Sequence, residues 1–419
     1  MASVPVTDVG EVLAPARAAV PPRLSRAGEV LELVRSGRAT TISELAAAMN
    51  VARSTVTDRV DALVERGLVV AQGEMVAGRG RPATVLAFNP AAGVVLSAQI
   101  GMSGIRVGAY DLAGEPLAAE ESTDIAVTEG PERVLAVLEA RLDAQLEAAG
   151  RTRDDVLGVG IGMPGRIELE TAREGGSAAA RPWVDYPVAD RLRTSYGVPV
   201  AVGRGVALLA VAEHRAFHPE ASVLLGLKVG TVVECGVVVE GRIVGGGSGL
   251  AGEIGHTPVP DIDTICVCGN RGCLNAVAGG GALARDLARL GHDVDSARGV
   301  AELAQAGVVE AGLAVREAGR RIGAVLAGTV NLLNPDVIVV WGYLADAGDQ
   351  LFAGLQESLY RMGVPAATRH VQIGYTRLGV DAGVRGAAVS TTEEILDPTN
   401  VDHLLATWRS GSSVAAPVA

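Results

Sequence analysis

Three short segments near the N-terminus repeat apolar residues at helical spacing. They run from Ser25 to Arg35, from Ile42 to Met49 and from about Arg53 to Arg66, and Ser36-Gly37 ends the first. Thr41 is a suitable cap for the second helix. The residues expected to face inward are Val30, Leu31, Val34, Ile42, Leu45, Ala46, Met49, Val56, Val60, Leu63 and Val64. The pattern therefore predicts three small amphipathic helices.

Two strand patterns with a long loop between them follow the third helix. The strands are Gly67 to Val70 and Thr84 to Phe88, and the loop from Gln72 to Ala83 contains Gly78-Arg79-Gly80-Arg81-Pro82. Three helices and a two-stranded ribbon in this order are typical of a winged helix-turn-helix. Two guanidinium groups on a thin ribbon suit the narrow minor groove of DNA. We therefore predict a DNA-binding winged helix over residues 24–88.

The third helix and the loop carry the residues that we expect to touch double-stranded DNA, and a Pro-rich flexible arm at residues 1–23 precedes them. Side chains near the helix N-terminus would reach base edges in the major groove, while a later arginine would contact a phosphate. Asp58 would repel a phosphate unless it pairs with Arg59 or accepts from a cytosine amino group. The alternative is that so small a helical unit binds protein instead. The predicted DNA contacts are Arg53, Ser54, Thr57, Arg59, Arg79 and Arg81.

Beyond residue 88 the pattern changes to short β-branched strands that alternate with Ala-rich helices. The segments are strands Val94–Ile100, Ile105–Tyr110 and Val156–Gly162, helix Glu132–Ala148, strands within Val223–Val244, helices within Val300–Leu332, and strand Val337–Val340. This alternation is typical of an α/β fold, and the two separated strand sets indicate two lobes. The composition agrees, since 48% hydrophobic residues with 54 glycines and 3% aromatics suits short strands and tight turns.

The net charge and the hydropathy limit the partners. The net charge of −12 argues against a chain that coats nucleic acid along its whole length. The first 90 residues are nearly neutral, which favours DNA binding at that end. No apolar run is long enough to cross a membrane, and the start of the chain lacks the order of a signal peptide. We therefore expect a cytoplasmic protein with no membrane partner.

Three of the four cysteines lie close together, shortly after a histidine. His256, Cys266, Cys268 and Cys273 offer one imidazole and three thiols, which is the donor set of a closed tetrahedral zinc site. Because no coordination position would stay open, we predict a structural Zn²⁺ ion. The alternative is three buried free thiols, and Cys235 stands apart from the group.

Several motifs together resemble the ROK family of repressors, open reading frames and sugar kinases, and the resemblance extends from Leu24 to about Leu405. The matching motifs are the Gly78–Pro82 wing, Gly160–Gly165, Arg181-Pro182-Trp183 with Tyr186-Pro187, Gly252–His256, Cys266–Cys273 and Asn334–Val339. The resemblance implies an actin-like, hexokinase-type fold of the ribonuclease-H-like class, with a sugar cleft between two lobes. It assigns residues 89–419 to this domain and about 206–385 to its second lobe.

Four segments of this chain differ from the corresponding motifs of the sugar kinases in the family. Where those carry Asn-Asp, with the Asp as base for the sugar hydroxyl, this chain has Arg204-Gly205, and glycine has no group that accepts a proton. The two phosphate loops read Gln99-Ile100-Gly101-Met102-Ser103 and Gly230-Thr231-Val232-Val233-Glu234, and the adenosine-side turn reads Trp341-Gly342. The first loop thus lacks the carboxylate expected to act on the metal nucleotide, and in the second loop side chains and an anion replace the bare backbone that phosphates approach. We therefore expect no ATP-dependent phosphorylation and no enzymatic role.

The sugar cleft implied by the resemblance is only half matched. Glu253 and His256 correspond to the pair that contacts sugar hydroxyls, whereas Asn275 replaces a later Glu. Asparagine still donates and accepts hydrogen bonds, and Arg204 would either fill the cleft or favour a phosphorylated sugar. A purely structural role for Glu253 is the alternative. The predicted ligand contacts are Arg204, Glu253, His256 and Asn275.

Together these features predict a sequence-specific DNA-binding transcriptional regulator, a repressor, whose catalytically inactive body senses a sugar or a sugar phosphate. A homodimer or homotetramer is expected, because a palindromic operator matches the two-fold symmetry of such an assembly. Two alternatives stay open. One is an active ATP-dependent sugar kinase with an accessory DNA-binding domain, and the other is a ligand-independent DNA-binding protein whose body serves only dimerisation.

Overall fold

The computed structural model describes residues 20–75, 83–101, 104–122, 124–125, 127–165, 183, 186–247, 249–379 and 381–407. Arg79, Arg81 and most of the arm predicted at residues 1–23 lie outside the described residues. The described part consists of a small helical unit near the N-terminus and a larger body with two five-stranded sheets.

The N-terminal unit is a winged helix-turn-helix, as predicted. Its elements are α1 (Ala27–Arg35), α2 (Ile42–Met49), α3 (Arg53–Glu65), β1 (Val69–Met75) and β2 (Ala83–Phe88). Strands β1 and β2 pair antiparallel. Thr41 caps α2 through a capping box with Glu44, which satisfies free N–H groups at the start of that helix.

Two details of this unit differ from the prediction. Strand β1 continues to Met75, because its backbone keeps pairing with β2 beyond Gln72, where the loop was expected to begin. Val64 is 45% exposed and does not face inward. The buried side of α3 follows Val56, Val60 and Leu63 instead, and position 64 has rotated past that side at the end of the helix.

The first sheet builds the first lobe of the body. Its elements are β3 (Val94–Ile100), β4 (Ile105–Tyr110), β5 (Pro116–Ser122), α4 (Pro131–Ala148), β6 (Val156–Met163), α5 (Val188–Tyr196) and β7 (Val200–Arg204). The strand order is β5-β4-β3-β6-β7. Strands β3, β4 and β5 are antiparallel neighbours, whereas β6 pairs parallel with both β3 and β7. Strand β6 is buried at every position, as expected for a strand covered on both faces.

The second sheet repeats this arrangement in the second lobe. Its strands are β8 (Val223–Val229), β9 (Val233–Val239), β10 (Arg242–Ile243), β11 (Val337–Trp341) and β12 (Gln372–Tyr375), in the order β10-β9-β8-β11-β12. The antiparallel and parallel pairings follow the same sequence as in the first sheet. This duplication confirms the predicted two-lobed, actin-like α/β fold.

Helices cover both sheets and join the lobes. They are α6 (Gly205–Phe217), α7 (Leu274–Ala278), α8 (Gly280–Arg289), α9 (Ala297–Gln305), α10 (Val309–Leu333), α11 (Asp349–Met362), α12 (Pro365–Thr368), α13 (Ala382–Ile395) and α14 (Pro398–Thr407). Helix α6 packs on the second sheet, α13 packs on the first, and the two helices pack against each other. None of the described helices is both long and apolar enough to cross a bilayer.

The last helix holds the first one in place. Asp402 on α14 accepts hydrogen bonds from the backbone N–H groups of Arg26 at 2.7 Å and Gly28 at 2.9 Å. A Cβ atom at position 28 would lie 2.1 Å from Pro398 O, so only glycine allows this approach. Because the first N–H groups of a helix lack intrahelical acceptors, the carboxylate of α14 serves as the N-terminal cap of α1.

Candidate functional site

The first turns of α3 form the surface that we predict to contact DNA. Arg53 and Ser54 are exposed, and Thr57 lies one turn later on the same side of the helix. Thr57 Oγ1 donates to Arg53 O at 3.0 Å, a local bond that the hydroxyl can exchange for a contact with a base. Asp58 is exposed beside them. The base contacts of Arg53, Ser54 and Thr57 stay predictions, on a surface that DNA can reach.

Arg59 does not belong to this surface. Its residue is only 8% exposed, and its guanidinium donates from Nε to Ser25 O at 2.6 Å and from Nη1 to Thr55 O at 2.7 Å. The side chain therefore ties α3 to the segment before α1. The predicted phosphate contact is wrong because the group that would make it is buried and bonded to carbonyl oxygens. The suggested pairing with Asp58 fails for the same reason.

The four predicted metal ligands come together in the second lobe. The candidate ligand atoms of His256, Cys266, Cys268 and Cys273 all lie within 4.8 Å of one another. His256 Nδ1 is 3.7 Å from Cys266 Sγ, and Cys268 Sγ is 3.6 Å from Cys273 Sγ. A tetrahedral site with the usual Zn–S bond length separates its sulfurs by about 3.8 Å. The cluster therefore has the spacing needed to hold a metal ion.

Local turns in the backbone bring these ligands together. Cys266 N–H donates to Asn270 O at 2.8 Å, and Gly269 inside this turn has a φ of 89°, a conformation that favours glycine. His256 ends a single short helical turn that starts at Ile254. Burial and the neighbouring thiols raise the pKa of Cys273 to about 12. A bound cation would lower that pKa and favour the thiolate.

Arg204 occupies the part of the cleft where Glu253 lies. Their side chains are 11% and 10% exposed, and Arg204 Nη2 is 3.7 Å from Glu253 Oε1. The guanidinium also donates from Nη1 to Ala251 O at 2.5 Å and from Nη2 to Cys235 O at 3.2 Å. Of the two roles considered for Arg204, filling the cleft agrees with this geometry, because its charge is balanced by Glu253 and its donors hold backbone carbonyls.

Asn275 links two elements next to the metal cluster. Its Oδ1 accepts from Val233 N at 2.7 Å, which joins α7 to β9. A Cβ atom at Gly255 would lie 2.4 Å from Asn275 Nδ2, so the side chain packs directly on the turn that carries His256. This packing gives Asn275 a structural role, and its contact with a ligand stays a prediction.

Gly205 and Gln99 fit together at the junction of β7 and α6. A Cβ atom at position 205 would lie 2.2 Å from Gln99 Oε1 and 2.5 Å from its Nε2. The amide is held there because Nε2 donates to Ile100 O at 3.1 Å and to Gly162 O at 3.3 Å. Gln99 therefore fills the space that an aspartate side chain at position 205 would need. The departures from the kinase pattern at positions 99 and 205 therefore belong together, because each residue packs directly against the other.

Glu234, the acidic residue of the segment that corresponds to the second phosphate loop of the kinases, lies on β9 and is paired with a lysine. Glu234 is buried, and Lys228 Nζ lies 2.7 Å from its Oε2. The same ammonium group is 5.8 Å from the centre of the Trp341 ring, within the range of a cation–π contact. The carboxylate of Glu234 therefore belongs to an internal ion pair between two neighbouring strands.

A cavity of about 690 Å³ opens between the lobes beside these loops. Its first-lobe lining includes Gln99 and Arg106, and its second-lobe lining includes Lys228, Trp341 and Tyr375. This volume is in the range of small-molecule sites. The cleft between the lobes is thus large enough for a ligand, and Arg204 and Glu253 are not among the residues that line this cavity.

Sequence analysis missed a charged cluster on the wall of this cavity. Arg106, Glu121, Arg298 and Tyr343 contact one another there, although they lie far apart along the chain. One local signal was present, since Arg106 is the single charged residue of the otherwise apolar strand β4. No local pattern indicates its partners.

Glu213 was also missed, although it supports the rim of the cavity. It is fully buried, and it accepts hydrogen bonds from Thr376 Oγ1 at 2.8 Å and Arg377 N at 2.7 Å. Burial raises the pKa of this carboxyl group. The available signal was a glutamate within the apolar helix α6. Thr376 lines the cavity, so Glu213 positions part of its wall.

The chain is similar in sequence to known proteins along most of its length. An IclR helix-turn-helix domain model matches residues 23–73, and a ROK family model matches residues 95–394. The chain is 24% identical over 385 residues to the xylose repressor of Caldicellulosiruptor bescii, covering 88% of this chain and 95% of that protein. It is 32% identical over 262 residues to the glucokinase of Halalkalibacterium halodurans, covering 58% of this chain and 79% of that enzyme.

Solved structures agree on the fold. The crystal structure of a ROK family transcriptional regulator, a homologue of the Escherichia coli Mlc protein, matches with a TM-score of 0.73 at 22% identity. The match covers 92% of this chain and 99% of that one, so both the helical unit and the body have the same fold. The ROK model spans most of the chain, and the sequence motifs lie within its limits. The chain therefore belongs to the ROK family.

Proposed function

We propose that this chain is a sequence-specific DNA-binding transcriptional repressor whose kinase-like body responds to a sugar or a sugar derivative. The observation that carries the proposal is the continuous hydrophobic core between the winged helix and the body. This core includes Leu31 of α1, Val56 of α3, Val95 of β3 and Val384 of α13. A DNA-binding unit packed in this way follows movements of the body. The chain is similar to the xylose repressor of C. bescii along nearly the whole length of that protein, which supports a role as a repressor here.

Helix α13 is the element that would transmit a change in the cleft. At its N-terminal end Asp381 pairs with Arg106 on the cavity wall, and near its other end Glu393 pairs with Arg35 of α1. Its 14 residues span about 21 Å. A ligand that binds one closure of the lobes more tightly would shift α13 and with it the winged helix.

The DNA partner is a palindromic operator that two winged helices read together. Residues 24–88 form the DNA-binding unit, with Arg53, Ser54 and Thr57 at base edges and the loop arginines Arg79 and Arg81 in the minor groove. A homodimer or homotetramer supplies the two-fold symmetry of such a site. Effector binding would change the spacing of the two units and so the affinity for the operator.

The body is proposed to have lost phosphoryl transfer. Gly205 supplies no base, and Gln99 fills the place where an aspartate would lie. The second candidate function, an active sugar kinase, is favoured by the 32% identity to a glucokinase. A coupled assay for ADP release with a panel of hexoses separates the two. Sugar-dependent turnover above background would establish the kinase.

A structural zinc ion is proposed for the cluster of His256, Cys266, Cys268 and Cys273. The donor set and its spacings fit a closed tetrahedral site in which the protein fills all four positions. When bound, the ion would cross-link the segment between Glu253 and Leu274, which otherwise contains little regular structure. His256 would bind through Nδ1, the ring nitrogen that faces Cys266 Sγ.

The DNA-binding proposal is tested by fluorescence anisotropy with genomic fragments at several salt concentrations. We expect binding that selects among fragments, and a lower affinity for Arg53→Gln and for the double variant Arg79→Ala/Arg81→Ala. Arg289→Gln is a matched control, because Arg289 is an exposed arginine on the body that pairs locally with Asp286. Binding without sequence preference, or equal losses in the control, would contradict the proposal.

The effector is tested by thermal unfolding in the presence of free, N-acetylated and phosphorylated sugars. A ligand that binds the folded body and not the unfolded chain raises the unfolding temperature, and the shift grows with the ratio of ligand concentration to Kd. A shift with one class identifies the effector class. Operator binding with no shift from any sugar would favour the ligand-independent alternative.

A further inference from the structure

The outward side of α3 carries a row of acidic residues. Helix α3 is the second helix of the helix-turn-helix, the element that such units place in the major groove. Its buried side is formed by Val56, Arg59, Val60 and Leu63. At about 100° per residue, the positions directly opposite are Ser54, Asp58, Asp61 and Glu65, and all four are exposed. One hydroxyl and three carboxylates therefore occupy the middle of the surface that would face the bases.

Asp58 is the carboxylate of this row that lies nearest the start of α3. In helix-turn-helix units the residues near the N-terminus of this helix contact the base edges. Asp58 is one turn after Ser54, whereas Asp61 and Glu65 lie farther along the helix, and Glu65 is its last residue. Asp58 is therefore the acidic side chain that a base would meet.

The protein itself gives the Asp58 carboxylate no partner. The next residue, Arg59, is buried and donates to Ser25 O and Thr55 O instead. No residue in the described part of the chain forms a hydrogen bond or an ion pair with the Asp58 side chain. Its charge is therefore not balanced within the winged helix. In the major groove this carboxylate would approach two rows of phosphates, and only a donor on the DNA could compensate for that repulsion.

Cytosine is the base whose major-groove edge suits a carboxylate. It presents the N4 amino group as a donor, whereas guanine presents the acceptors N7 and O6, and thymine presents the acceptor O4. Adenine has an amino group, but the acceptor N7 lies beside it and would repel the second carboxylate oxygen. An ionised carboxylate can only accept hydrogen bonds. It is therefore satisfied by cytosine without facing another acceptor.

We infer that Asp58 is a specificity-determining residue whose carboxylate accepts a hydrogen bond from the N4 amino group of a cytosine in each half-site of the operator. The inference rests on the proposed DNA-binding function and adds to it the base that one residue selects. The residues beside Asp58 cannot make this choice in the same way. Arg53, Ser54 and Thr57 all carry donors, whereas the ionised Asp58 carries none, so Asp58 alone of these four must reject a base that offers only acceptors.

Selection by Asp58 would act mainly through rejection of the other bases. Opposite thymine or guanine the carboxylate would lose water and face an acceptor, which costs more than the absence of a contact. The same charge repels the phosphates of any DNA and so weakens non-specific binding. Asp58 would therefore raise the ratio of specific to non-specific affinity. This ratio decides how well a regulator occupies its operator among many competing sites.

The experiment selects binding sites for the full chain from randomised duplexes and reads the enriched sequences. For the wild type we expect a motif with cytosine at one position of each half-site. Asp58→Asn should change that cytosine to adenine and leave the rest of the motif as it is, because an asparagine amide accepts from N6 and donates to N7. When thymine replaces this cytosine, the wild type should lose affinity on the order of tenfold to a hundredfold, and Asp58→Ala less than about threefold.

Glu65→Gln is the matched control. It removes one negative charge from the same side of α3, about 10 Å from Asp58 along the helix axis. Asp58→Asn and Glu65→Gln should both bind a duplex without the motif more tightly, because each loses one repulsive charge, but Glu65→Gln should keep the cytosine. A wild-type motif without such a cytosine, an unchanged motif for Asp58→Asn, or the same change for Glu65→Gln would overturn the inference and leave the proposed function standing. Enrichment of no motif by the wild type would contradict both.

Discussion

At the scale of single residues, Gly205 and Gln99 act as a pair. Gly205 stands where the resemblance to the family's kinases places the aspartate base, and the Gln99 amide that fills this space donates to two backbone carbonyls. Replacing either residue alone therefore disturbs the packing of the other. The proposed loss of kinase activity therefore involves a packed pair of residues and not a single substitution.

We expect Gly205→Asp to destabilise the protein without creating a kinase. The new side chain would collide with Gln99, at a cost of about 1–3 kcal/mol. Thermal unfolding should show the loss, and the double variant Gly205→Asp/Gln99→Ala should recover most of it. Gln99→Ala alone is the control. Hexose-dependent ADP release by Gly205→Asp would contradict the expectation.

Two arginines of the same helix should give opposite results. Arg59→Gln breaks buried hydrogen bonds to Ser25 O and Thr55 O, and we expect a loss of about 1–3 kcal/mol in stability. Arg53→Gln removes an exposed side chain, so the stability should hold while affinity for the operator falls by about 1–3 kcal/mol. Unfolding and DNA-binding measurements on both variants test this crossed pattern. Equal stability of the two variants would count against the structural role of Arg59.

At the scale of elements, the first and the last of the described helices, α1 and α14, are joined. The cap of α1 is supplied by Asp402, a residue that lies 376 positions later than Arg26. Helix α13 precedes α14 directly and carries Glu393, which pairs with Arg35 of α1. The DNA-binding unit is therefore anchored to the last two helices of the body and not only to the segment that follows β2.

We expect Asp402→Ala to loosen α1 while the body stays folded. Loss of a helix cap costs about 0.5–2 kcal/mol, and here both acceptor oxygens are lost. Hydrogen exchange of the α1 amides should become faster. Thr399→Ala, an exposed position on the same helix, is the control and should leave exchange unchanged. Equal exchange in both variants would show that α14 does not stabilise α1.

At the scale of the whole molecule, the cleft, the metal cluster and the DNA-binding unit occupy connected parts of one structure. The metal cluster lies in the second lobe. Its ligand His256 is three residues after Glu253, whose side chain faces Arg204. Helices α6 and α13 pack together between the two sheets. A change in the position of one lobe must therefore be accommodated along the helices that reach α1.

We expect one equivalent of zinc per chain, and its removal should destabilise the body. Chelation or Cys268→Ser would take away a ligand set that contributes directly to folding. Elemental analysis and thermal unfolding measure both effects. Cys235→Ala is the control, because Cys235 is a buried thiol outside the cluster and its loss should leave the zinc content unchanged. A metal-free protein of full stability would contradict this prediction.

The sequence by itself determined the features that depend on neighbours along the chain. Apolar spacing predicts α2 and β3 within their observed bounds, because burial of one face imposes the period of a helix or a strand. The three cysteines are predicted as ligands because a short turn brings them together. The loss of a base at position 205 is visible directly, since glycine has no side chain.

Only the tertiary structure decided which distant groups meet. It placed Arg59 against carbonyl oxygens, Arg204 against Glu253, and Glu121 between donors from both lobes. These contacts join residues from separate elements, and their partners are chosen by how sheets and helices pack. A pattern along the chain reports which side of an element is buried, but it carries no information on what that side will touch.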